Sequence, residues 1–482
     1  MNILQINDTI CATATAPGGA IGIIRVSGNQ SIQITDKIFT PVGKEPVSLI
    51  NRKAYTLNFG HIKNENGEII DEVLVSLFRA PHSYTGEDSI EISCHGSAYI
   101  LRQVMQLLIA NGCRAAGPGE FTQRAFLNGK MDLSQAEAVA DLITSSSAAT
   151  HRLAMNQMRG GFSKELTTLR EKLLHLTSLM ELELDFSDHE ELEFADRSEL
   201  EEIAGQIEKV ISRLVESFSV GNAIKNGVPV AIIGETNAGK STLLNALLNE
   251  ERAIVSDIHG TTRDVIEDVM NVGGVLFRFI DTAGIRETTD TIESMGIERS
   301  FQKLDQADIV LWVIDQTRAT EQYQQLASQI LPRCEGKRLI IGLNKADLSG
   351  ISTGDSLETI EKSAADFAAQ FDGIPDTATL IPISAKQKLG VEALENLLVE
   401  AASLPEVSQN ELVVTNARHY EALCSALEAI HRVQDGMAMQ LSGDFVSQDL
   451  RECLFHLAEI VGGEITTDEV LGKIFTHFCV GK

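Results

Sequence analysis

The chain has 482 residues, a length that favours about three domains of ~150 residues each and excludes a single small fold. Acidic residues outnumber basic ones by 68 to 40, and the formal charge of −28 argues against a protein that holds nucleic acid by its own overall electrostatic attraction. With 43% hydrophobic and 22% charged residues, the composition is that of a folded globular chain. If RNA is involved, a partner or a local patch must supply the positive surface.

The sequence carries no sign of export or of a membrane span. No run of about 18 apolar residues occurs, and the N-terminus lacks the basic and apolar regions of a secretory signal. The seven cysteines are odd in number and form no C-x-x-C pair, which argues against a disulfide framework and a structural zinc site. We therefore expect a cytoplasmic protein.

The first domain is predicted at residues 1–130. β-branched runs at residues 21–26 and 72–78 alternate with turn clusters at residues 17–19 and 117–119, a mixture typical of an α+β domain. From Ser134 onward the composition shifts to Ala, Leu, Glu and Gln, which indicates helices.

Two amphipathic helical blocks flank the middle of the chain. Apolar residues recur in them at spacings of three and four. The stripes are Leu166, Leu169, Leu173, Leu176 and Met180, then Tyr420, Leu423, Leu427 and Ile430, and finally Leu450, Leu454, Leu457 and Val461. Because each stripe needs a partner, we expect residues 131–223 and 401–482 to form one helical domain, with residues 224–400 inserted in it.

The inserted segment begins with a phosphate-binding pattern. The apolar run at residues 228–233 is followed by Gly234-Glu-Thr-Asn-Ala-Gly-Lys240-Ser241 and then by helix-forming residues. Glycines let the backbone amides turn toward phosphate oxygens, Lys240 reaches the β- and γ-phosphates, and Ser241 offers a hydroxyl to Mg²⁺. This order of strand, glycine loop and helix predicts a P-loop.

Three further strand ends complete a guanine-nucleotide site. Asp281-Thr-Ala-Gly284 follows an apolar strand and supplies a carboxylate for the Mg²⁺ shell and an amide near the γ-phosphate. Asn344-Lys-Ala-Asp347 follows another, and Asp347 can accept from guanine N1–H and the 2-amino group, a donor pair that adenine lacks. Ser384-Ala-Lys386 adds a backbone amide for guanine O6. The four motifs together predict a GTP-hydrolysing domain.

The switch region departs from the small GTPases. Thr262, or alternatively Thr261, is expected to complete the Mg²⁺ coordination. Ile285 stands where a glutamine usually orients water, so Arg286, Glu287, Asp290 or Glu293 must replace it. Transition-state charge can be met by Arg263 or Arg286, or by a monovalent cation held by oxygens of Asn237, Ser256, Ile258 and Thr261.

The predicted fold class is an α+β N-terminal domain and an all-α helical bundle domain with an inserted α/β P-loop GTPase (Ras-like) domain. The catalytic lysine is Lys240. The predicted GTP-binding residues are Asn237, Ala238, Gly239, Lys240, Ser241, Thr242, Ser256, Asp257, Ile258, His259, Gly260, Thr261, Thr262, Asp281, Thr282, Ala283, Gly284, Asn344, Lys345, Asp347, Ser384, Ala385 and Lys386.

The motifs at both ends and in the middle resemble those of the MnmE (TrmE) family of tRNA-modification GTPases. They are Ala16-Pro-Gly-Gly-Ala-Ile-Gly-Ile-Ile-Arg25, Thr236-Asn-Ala-Gly-Lys-Ser, Asp281-Thr-Ala-Gly-Ile-Arg and Phe478-Cys-Val-Gly-Lys482. The resemblance implies K⁺ binding by Asn237, Ser256, Ile258 and Thr261, Mg²⁺ binding by Ser241 and Thr262, and Glu293 as a general acid or base acting through water. Ser256 departs from the threonine usual there, and Glu235 from the usual arginine.

The resemblance also implies a folate site in the first domain. Arg25, Glu87, Lys130 and Lys482 match the positions that bind 5,10-methylene- or 5-formyl-tetrahydrofolate, a one-carbon donor. A pterin edge suits a carboxylate such as Glu87, and the glutamyl tail suits Arg25 or Lys130. The role of Cys479 stays open between a reactive thiol and a packing residue.

The implied activity is modification of C5 of the wobble uridine (position 34) of certain tRNAs with an aminomethyl or carboxymethylaminomethyl group. The implied partners are a second copy of the chain, giving a homodimer, and two copies of the FAD protein MnmG, giving a heterotetramer in which MnmG makes most of the tRNA contact. Two alternatives are a ribosome-assembly or other regulatory GTPase and a folate enzyme with a vestigial nucleotide domain.

Overall fold

The computed structural model describes residues 8–43, 47–185, 197–235, 237–250, 268–280, 304–349, 374, 375, 377–404, 412–463, 475, 478 and 481. The chain divides into two compact units. The first comprises Met1–Ile143, Ala154–Ser212 and Glu421–Lys482, and the second comprises Thr144–Leu153 and Arg213–Tyr420. The four-segment division drawn from the sequence stays a prediction.

The N-terminal part of the first unit is a seven-stranded sheet with three helices. Its strands lie in the order β3-β4-β5-β6-β2-β1-β7. The strands are β1 Ile10–Thr13, β2 Ile21–Ser27, β3 Phe39–Pro41, β4 Thr56–Lys63, β5 Ile69–Phe78, β6 Ser89–His95 and β7 Arg114–Ala115. The helices are α1 Ser31–Ile38, α2 Ala98–Ala110 and α3 Glu120–Leu127.

Alternation along the central strands decides which side chains face the core. In β2, Ile24 and Val26 are buried against α1 and α2, as are Ile90 and Ile92 in β6. Since successive strand residues point to opposite faces, Arg25 and its cross-strand neighbour Glu91 lie on the other face. The β-branched runs predicted from the sequence thus form strands, and they place charged groups on one side of the sheet.

Four helices follow this domain along the chain: α4 Leu133–Thr144, α5 Ala148–Met158, α6 Gly161–Asp185 and α7 Arg197–Asn226. Along α6 the predicted stripe from Leu166 to Met180 is buried. The 3.6-residue period of the helix brings these side chains to one face, so the sequence spacing predicted the buried face correctly.

The second unit contains a six-stranded sheet in the order β13-β12-β11-β8-β10-β9. Its strands are β8 Val228–Ile233, β9 Asp268–Val272, β10 Val275–Ile280, β11 Ile309–Asp315, β12 Arg338–Asn344 and β13 Thr379–Pro382, and its helices are α8 Lys240–Glu250, α9 Ala319–Ile330 and α10 Val391–Ala402. All neighbouring strands are parallel except β9 and β10. The carboxyl ends of the parallel strands therefore meet at one edge, where such sheets bind ligands.

Two helices end the described chain, α11 Ala417–Ala438 and α12 Gly443–Val461. Within the first unit, α6 packs along α12, and Leu450, Cys453 and Leu457 of α12 are buried. The two helical blocks predicted on either side of the insertion are therefore in contact. No described helix has the length and apolar character needed to cross a membrane.

Candidate functional site

The loop between β8 and α8 has the geometry of an anion-binding turn. Gly234 has φ +145°, and a Cβ there would lie 2.2 Å from the carbonyl oxygen of Val313, so only glycine lets the loop pass β11. Asn237 and Gly239 also have positive φ, at +66° and +98°. This conformation precedes the first turn of α8, whose amides and dipole favour a bound anion.

Lys240, the first residue of α8, reaches back over this loop. Its Nζ donates to the carbonyl oxygens of Gly234 (2.6 Å) and Glu235 (2.7 Å). Burial lowers the pKa of the ammonium, and the charge of Glu235 opposes that shift. The ammonium therefore lies in the mouth of the loop, where phosphate oxygens can compete with the two carbonyl groups as acceptors.

Asn344, at the end of β12, ties two loops together. Its Nδ2 donates to the carbonyl oxygen of Ala238 (2.8 Å), and its Oδ1 accepts from the amide of Ala385 (3.0 Å). A Cβ on Gly239 would lie 2.1 Å from that Nδ2, so the P-loop glycine is needed for this approach. The Ala385 amide, one of the backbone amides of the Ser384-Ala-Lys386 motif, is therefore engaged with Asn344.

Two side chains next to Asn344 are also held in place. Ser384 Oγ donates to Asp347 Oδ1 (2.6 Å), which fixes the carboxylate expected to read the base. Lys345 Nζ donates to Asp315 Oδ2 (2.6 Å) at the end of β11. Burial raises the pKa of Asp315, but hydrogen bonds from Lys345 and Thr317 outweigh it and hold that pKa below its usual value. The ammonium of Lys345 is thereby held at the carboxyl end of β11.

A second polar site lies on the outer face of the N-terminal sheet. The Arg25 guanidinium donates to Glu91 Oε1 from Nε (3.0 Å) and Nη2 (2.8 Å), and its carbon lies 5.3 Å from the centre of the Tyr84 ring. It also lies 5.7 Å from the centre of the Phe121 ring, and Nη1 donates to the Gly481 carbonyl oxygen (3.3 Å). A cation between two rings beside a carboxylate can accommodate a flat, polar ligand.

Glu87 and Lys130 lie close to each other in the same region. Glu87 accepts from Ser27 Oγ (2.8 Å) and from Arg124 Nη1 (3.2 Å). Lys130 Nζ donates to the Pro81 carbonyl oxygen (2.9 Å), and a Cβ on Gly86 would lie 3.3 Å from the Lys130 stem. Of the four predicted folate residues, Arg25 and Lys130 contact the segment at residues 81–87, and Glu87 is part of that segment.

A network of ions supports this region. Arg114 and Arg124 both pair with Asp8 and with Glu120. Burial raises the pKa of both acids, but hydrogen bonds from the arginines outweigh burial and leave each pKa below its usual value. Glu120 also accepts from the amide of Gly117 (2.8 Å) at the start of α3.

We expect acid to loosen this part of the first unit. A carboxylate with a lowered pKa stabilises the fold above its unfolded value near pH 4, and that contribution is lost as the pH falls through the lower folded value. Hydrogen exchange of β1 and α3, corrected for intrinsic rates, should show protection falling between about pH 5 and pH 3. The gap in protection between the wild type and Asp8→Asn should narrow over the same range; a gap independent of pH would contradict the assignment.

Comparison with known proteins covers nearly the whole chain. The model described as "GTP-binding protein TrmE N-terminus" matches residues 9–130, and "MnmE helical domain" matches residues 133–479. The tRNA modification GTPase MnmE of Bacteroides thetaiotaomicron is 67% identical, over 98% of this chain and 99% of the relative. That of Flavobacterium johnsoniae is 51% identical over the same shares. A solved FeoB G-domain from Methanococcus jannaschii is 25% identical over 36% of this chain and 97% of its own, with a TM-score of 0.25.

The chain belongs to the MnmE family of tRNA modification GTPases. The resemblance drawn from the sequence motifs is confirmed, and so is the predicted fold class. The MnmE family model for the helical domain spans both helical blocks and the segment between them.

Several residues that the MnmE resemblance singles out fall outside the described part of the chain. They are Ser256, Asp257, Ile258, His259, Gly260, Thr261, Thr262, Asp281, Thr282, Ala283, Gly284, Glu293 and Lys482. Ser241 and Thr242 lie in the first turn of α8, and Lys386 is exposed beyond Ala385.

Sequence reasoning missed three residues that hold the predicted ones. Asp315 anchors Lys345, while Arg124 and Ser27 hold Glu87. The signal for Asp315 was present, because an acid at the carboxyl end of a buried parallel strand lies at the ligand edge of the sheet. Ser27 lies two residues after Arg25 and therefore on the same face of β2, which was a weaker signal.

Proposed function

We propose that this chain binds and hydrolyses GTP and that hydrolysis drives modification of tRNA. The arrangement at the carboxyl edge of the second sheet carries the proposal. There Lys240 lies over the P-loop, Asn344 joins that loop to Ala385, and Ser384 orients Asp347. These contacts bring together the proposed phosphate-binding and base-reading groups of three segments.

Each group has a role in this proposal. Lys240 binds the β- and γ-phosphates, and Asp347 reads the two guanine donors. Ser241 and Thr262 coordinate Mg²⁺, which neutralises charge on the phosphates, with Asp281 in the outer shell. The oxygens of Asn237, Ser256, Ile258 and Thr261 hold K⁺ in place of an arginine finger. The positive φ of Asn237 supports its part in this set, because it brings a side chain to the rim of the loop.

We further propose Glu293 as the general acid or base that acts on the attacking water. Ile285 cannot orient water, so a nearby polar group must. Replacing Glu293 by Ala should lower GTP turnover by roughly 10²- to 10⁴-fold and leave GTP affinity unchanged. Single-turnover hydrolysis and fluorescent-GTP titration separate the two quantities. Glu287→Ala is the matched control from the same loop; a larger loss in that variant would remove the assignment.

The first domain is proposed to bind 5,10-methylene- or 5-formyl-tetrahydrofolate through Arg25, Glu87, Lys130 and Lys482. The folate supplies a one-carbon unit for C5 of the wobble uridine at position 34. The fit rests on a guanidinium between two aromatic rings and a partly buried carboxylate. Arg25 also donates to the carbonyl oxygen of Gly481, the residue that precedes Lys482 in the chain.

The proposed partners follow from surface character. Leu57, Phe59 and Leu74 are exposed on the outer face of β4 and β5, where Phe59 and Leu74 are cross-strand neighbours. This apolar strip suits a second copy of the chain and supports a homodimer. The formal charge of −28 suits a heterotetramer in which two MnmG subunits carry most of the tRNA contact.

The proposal is tested by reconstitution with MnmG, FAD, NADH, tRNA, an amine co-substrate that supplies the nitrogen of the aminomethyl group, and methylene-tetrahydrofolate carrying labelled carbon. Label should enter C5 of the wobble uridine only when GTP, Mg²⁺ and K⁺ are all present. If label is transferred equally well without GTP, the result would favour the alternative of a folate enzyme with a vestigial nucleotide domain. GTP turnover with no transfer to tRNA would favour a ribosome-assembly or other regulatory GTPase.

A further inference from the structure

Two carboxylates on the outer face of the N-terminal sheet, Glu87 and Glu91, accept hydrogen bonds from different side chains. Glu91 receives two hydrogen bonds from Arg25 and thereby serves to hold that guanidinium. Glu87 receives Arg124 Nη1 on both oxygens, at 3.2 and 3.4 Å, and Ser27 Oγ on Oε2 at 2.8 Å. Its side chain is 15% exposed, so one side of the carboxylate faces the protein and the other remains accessible. Glu91 is 29% exposed and accepts from Arg25 on Oε1 alone, so both carboxylates can accept from a ligand; Glu87 is the one whose orientation is fixed by two different side chains.

The guanidinium that contacts Glu87 belongs to Arg124, and burial and further hydrogen bonds hold it in one position. The Arg124 side chain is only 3% exposed, and its Nη1 also donates to the Asp8 carbonyl oxygen (2.8 Å). Its Nη2 donates to Asp8 Oδ1 and to Glu120 Oε1 (3.1 Å). With both terminal nitrogens bound on several sides, Arg124 is a fixed point to which Glu87 is attached.

A cluster of hydroxyl groups fixes Glu87 from the second side. Ser27 Oγ lies 2.6 Å from Thr85 Oγ1 and 3.1 Å from Ser89 Oγ, and Ser27 is fully buried. Because Thr85 and Ser89 occupy its other directions, the Ser27 hydroxyl is directed toward Glu87. Ser27 donates to one oxygen of Glu87 and Arg124 donates to both. Together these contacts fix the plane of the carboxylate.

We infer that Arg124 and Ser27 are positioning residues that aim the remaining acceptor direction of the Glu87 carboxylate, on Oε1, at an N–H donor of a ligand, such as the 2-amino group of a pterin. The inference rests on the proposed folate site and deepens it. An ionised carboxylate has about four acceptor directions, and the contacts from Arg124 and Ser27 occupy three of them. The direction that remains, on Oε1, can accept a hydrogen bond from one ligand N–H. Specificity for the pterin edge then depends on residues that never touch it.

Ligand discrimination distinguishes positioning from simple structural support. The probes are tetrahydrofolate and its 2-desamino analogue, in which hydrogen replaces the 2-amino group. The full-length wild type should bind tetrahydrofolate more tightly than the analogue by roughly tenfold to hundredfold, the value of one charge-assisted hydrogen bond. Arg124→Lys and Ser27→Ala should reduce the ratio of the two affinities to within about threefold of unity, because the Glu87 carboxylate is no longer held in its orientation.

Arg114→Lys is the matched control. Arg114 pairs with the same acids, Asp8 and Glu120, and no hydrogen bond or ion pair joins it to Glu87 among the residues that the structure describes. This variant should keep the wild-type ratio even where it weakens both ligands. Ser27→Ala removes a single hydroxyl group. If Arg124→Lys does not fold, the affinity ratio can still be measured with Ser27→Ala.

The outcomes separate the two levels of the proposal. If the wild type discriminates and both variants weaken the two ligands equally, with the ratio kept, Arg124 and Ser27 only support the fold and the inference is overturned. If the wild type binds tetrahydrofolate no better than the analogue, Glu87 does not read the 2-amino group. If the wild type binds neither probe, the proposed folate site itself fails.

Discussion

Replacing Asp347 by Asn should change the base preference from guanine to xanthine. The carboxylate accepts from guanine N1–H and the 2-amino group, whereas an asparagine would place its own donor against that amino group. Xanthine carries a carbonyl oxygen in the same position, which an asparagine amide can satisfy. Losing hydrogen bonds to a charged group, at about 1.5–3 kcal/mol each, should weaken GTP binding by roughly 100-fold or more while XTP binding rises.

The measurement is competition of GTP and XTP for the full-length protein. The Ser384 hydroxyl now donates to Asp347 Oδ1 and can donate equally to an asparagine Oδ1, so the loop should keep its geometry. Asp305→Asn removes an acid of the same unit far along the chain from the base-reading motifs and serves as the charge-matched control. An Asp347→Asn protein that keeps its preference for GTP would show that Asp347 does not read the base.

Replacing Asn344 by Ala should disable the nucleotide site as a whole. The change leaves the Ala238 carbonyl and the Ala385 amide without their partner in a buried setting, at about 1–3 kcal/mol each. The second unit should lose roughly 2–6 kcal/mol of unfolding free energy, and GDP affinity should fall by more than tenfold because two loops are no longer joined.

The single tryptophan makes this loss measurable in the full chain. Trp312 is buried in β11 and stacked 5.4 Å from Tyr323, so its fluorescence follows unfolding of the second unit. Urea titration of Asn344→Ala should give an earlier midpoint, whereas exposed Asn226→Ala should change it little. Equal midpoints for the two variants would contradict the bridging role.

The sequence predicted local features better than long-range contacts. The P-loop was predictable because glycine spacing and the following helix determine its shape within seven residues. The strands before Asn344 and Ser384 were predictable because continuous β-branched runs of that length form buried parallel strands. The buried face of α6 followed from spacing alone, whereas in α12 only Leu450 and Leu457 of the predicted stripe are buried and Leu454 and Val461 are partly exposed.

Contacts between distant residues could not be derived in the same way. Arg124 and Glu87 are 37 positions apart, and Lys345 and Asp315 are 30 apart. Which charged residue meets which depends on how helices and sheets pack, and spacing carries no information on that. The motif around Asn344 identified the residue, but the structure was needed to show that it joins the P-loop to the Ala385 loop.

The most direct test of a cation-dependent, dimerising GTPase is GTP turnover by the full-length protein in K⁺ and in Na⁺ at several protein concentrations. If Asn237, Ser256, Ile258 and Thr261 hold K⁺ beside the phosphates, turnover should be many-fold faster in K⁺. The rate per chain should also rise with protein concentration as two copies associate. Equal rates in both salts, with no dependence on concentration, would contradict the mechanism.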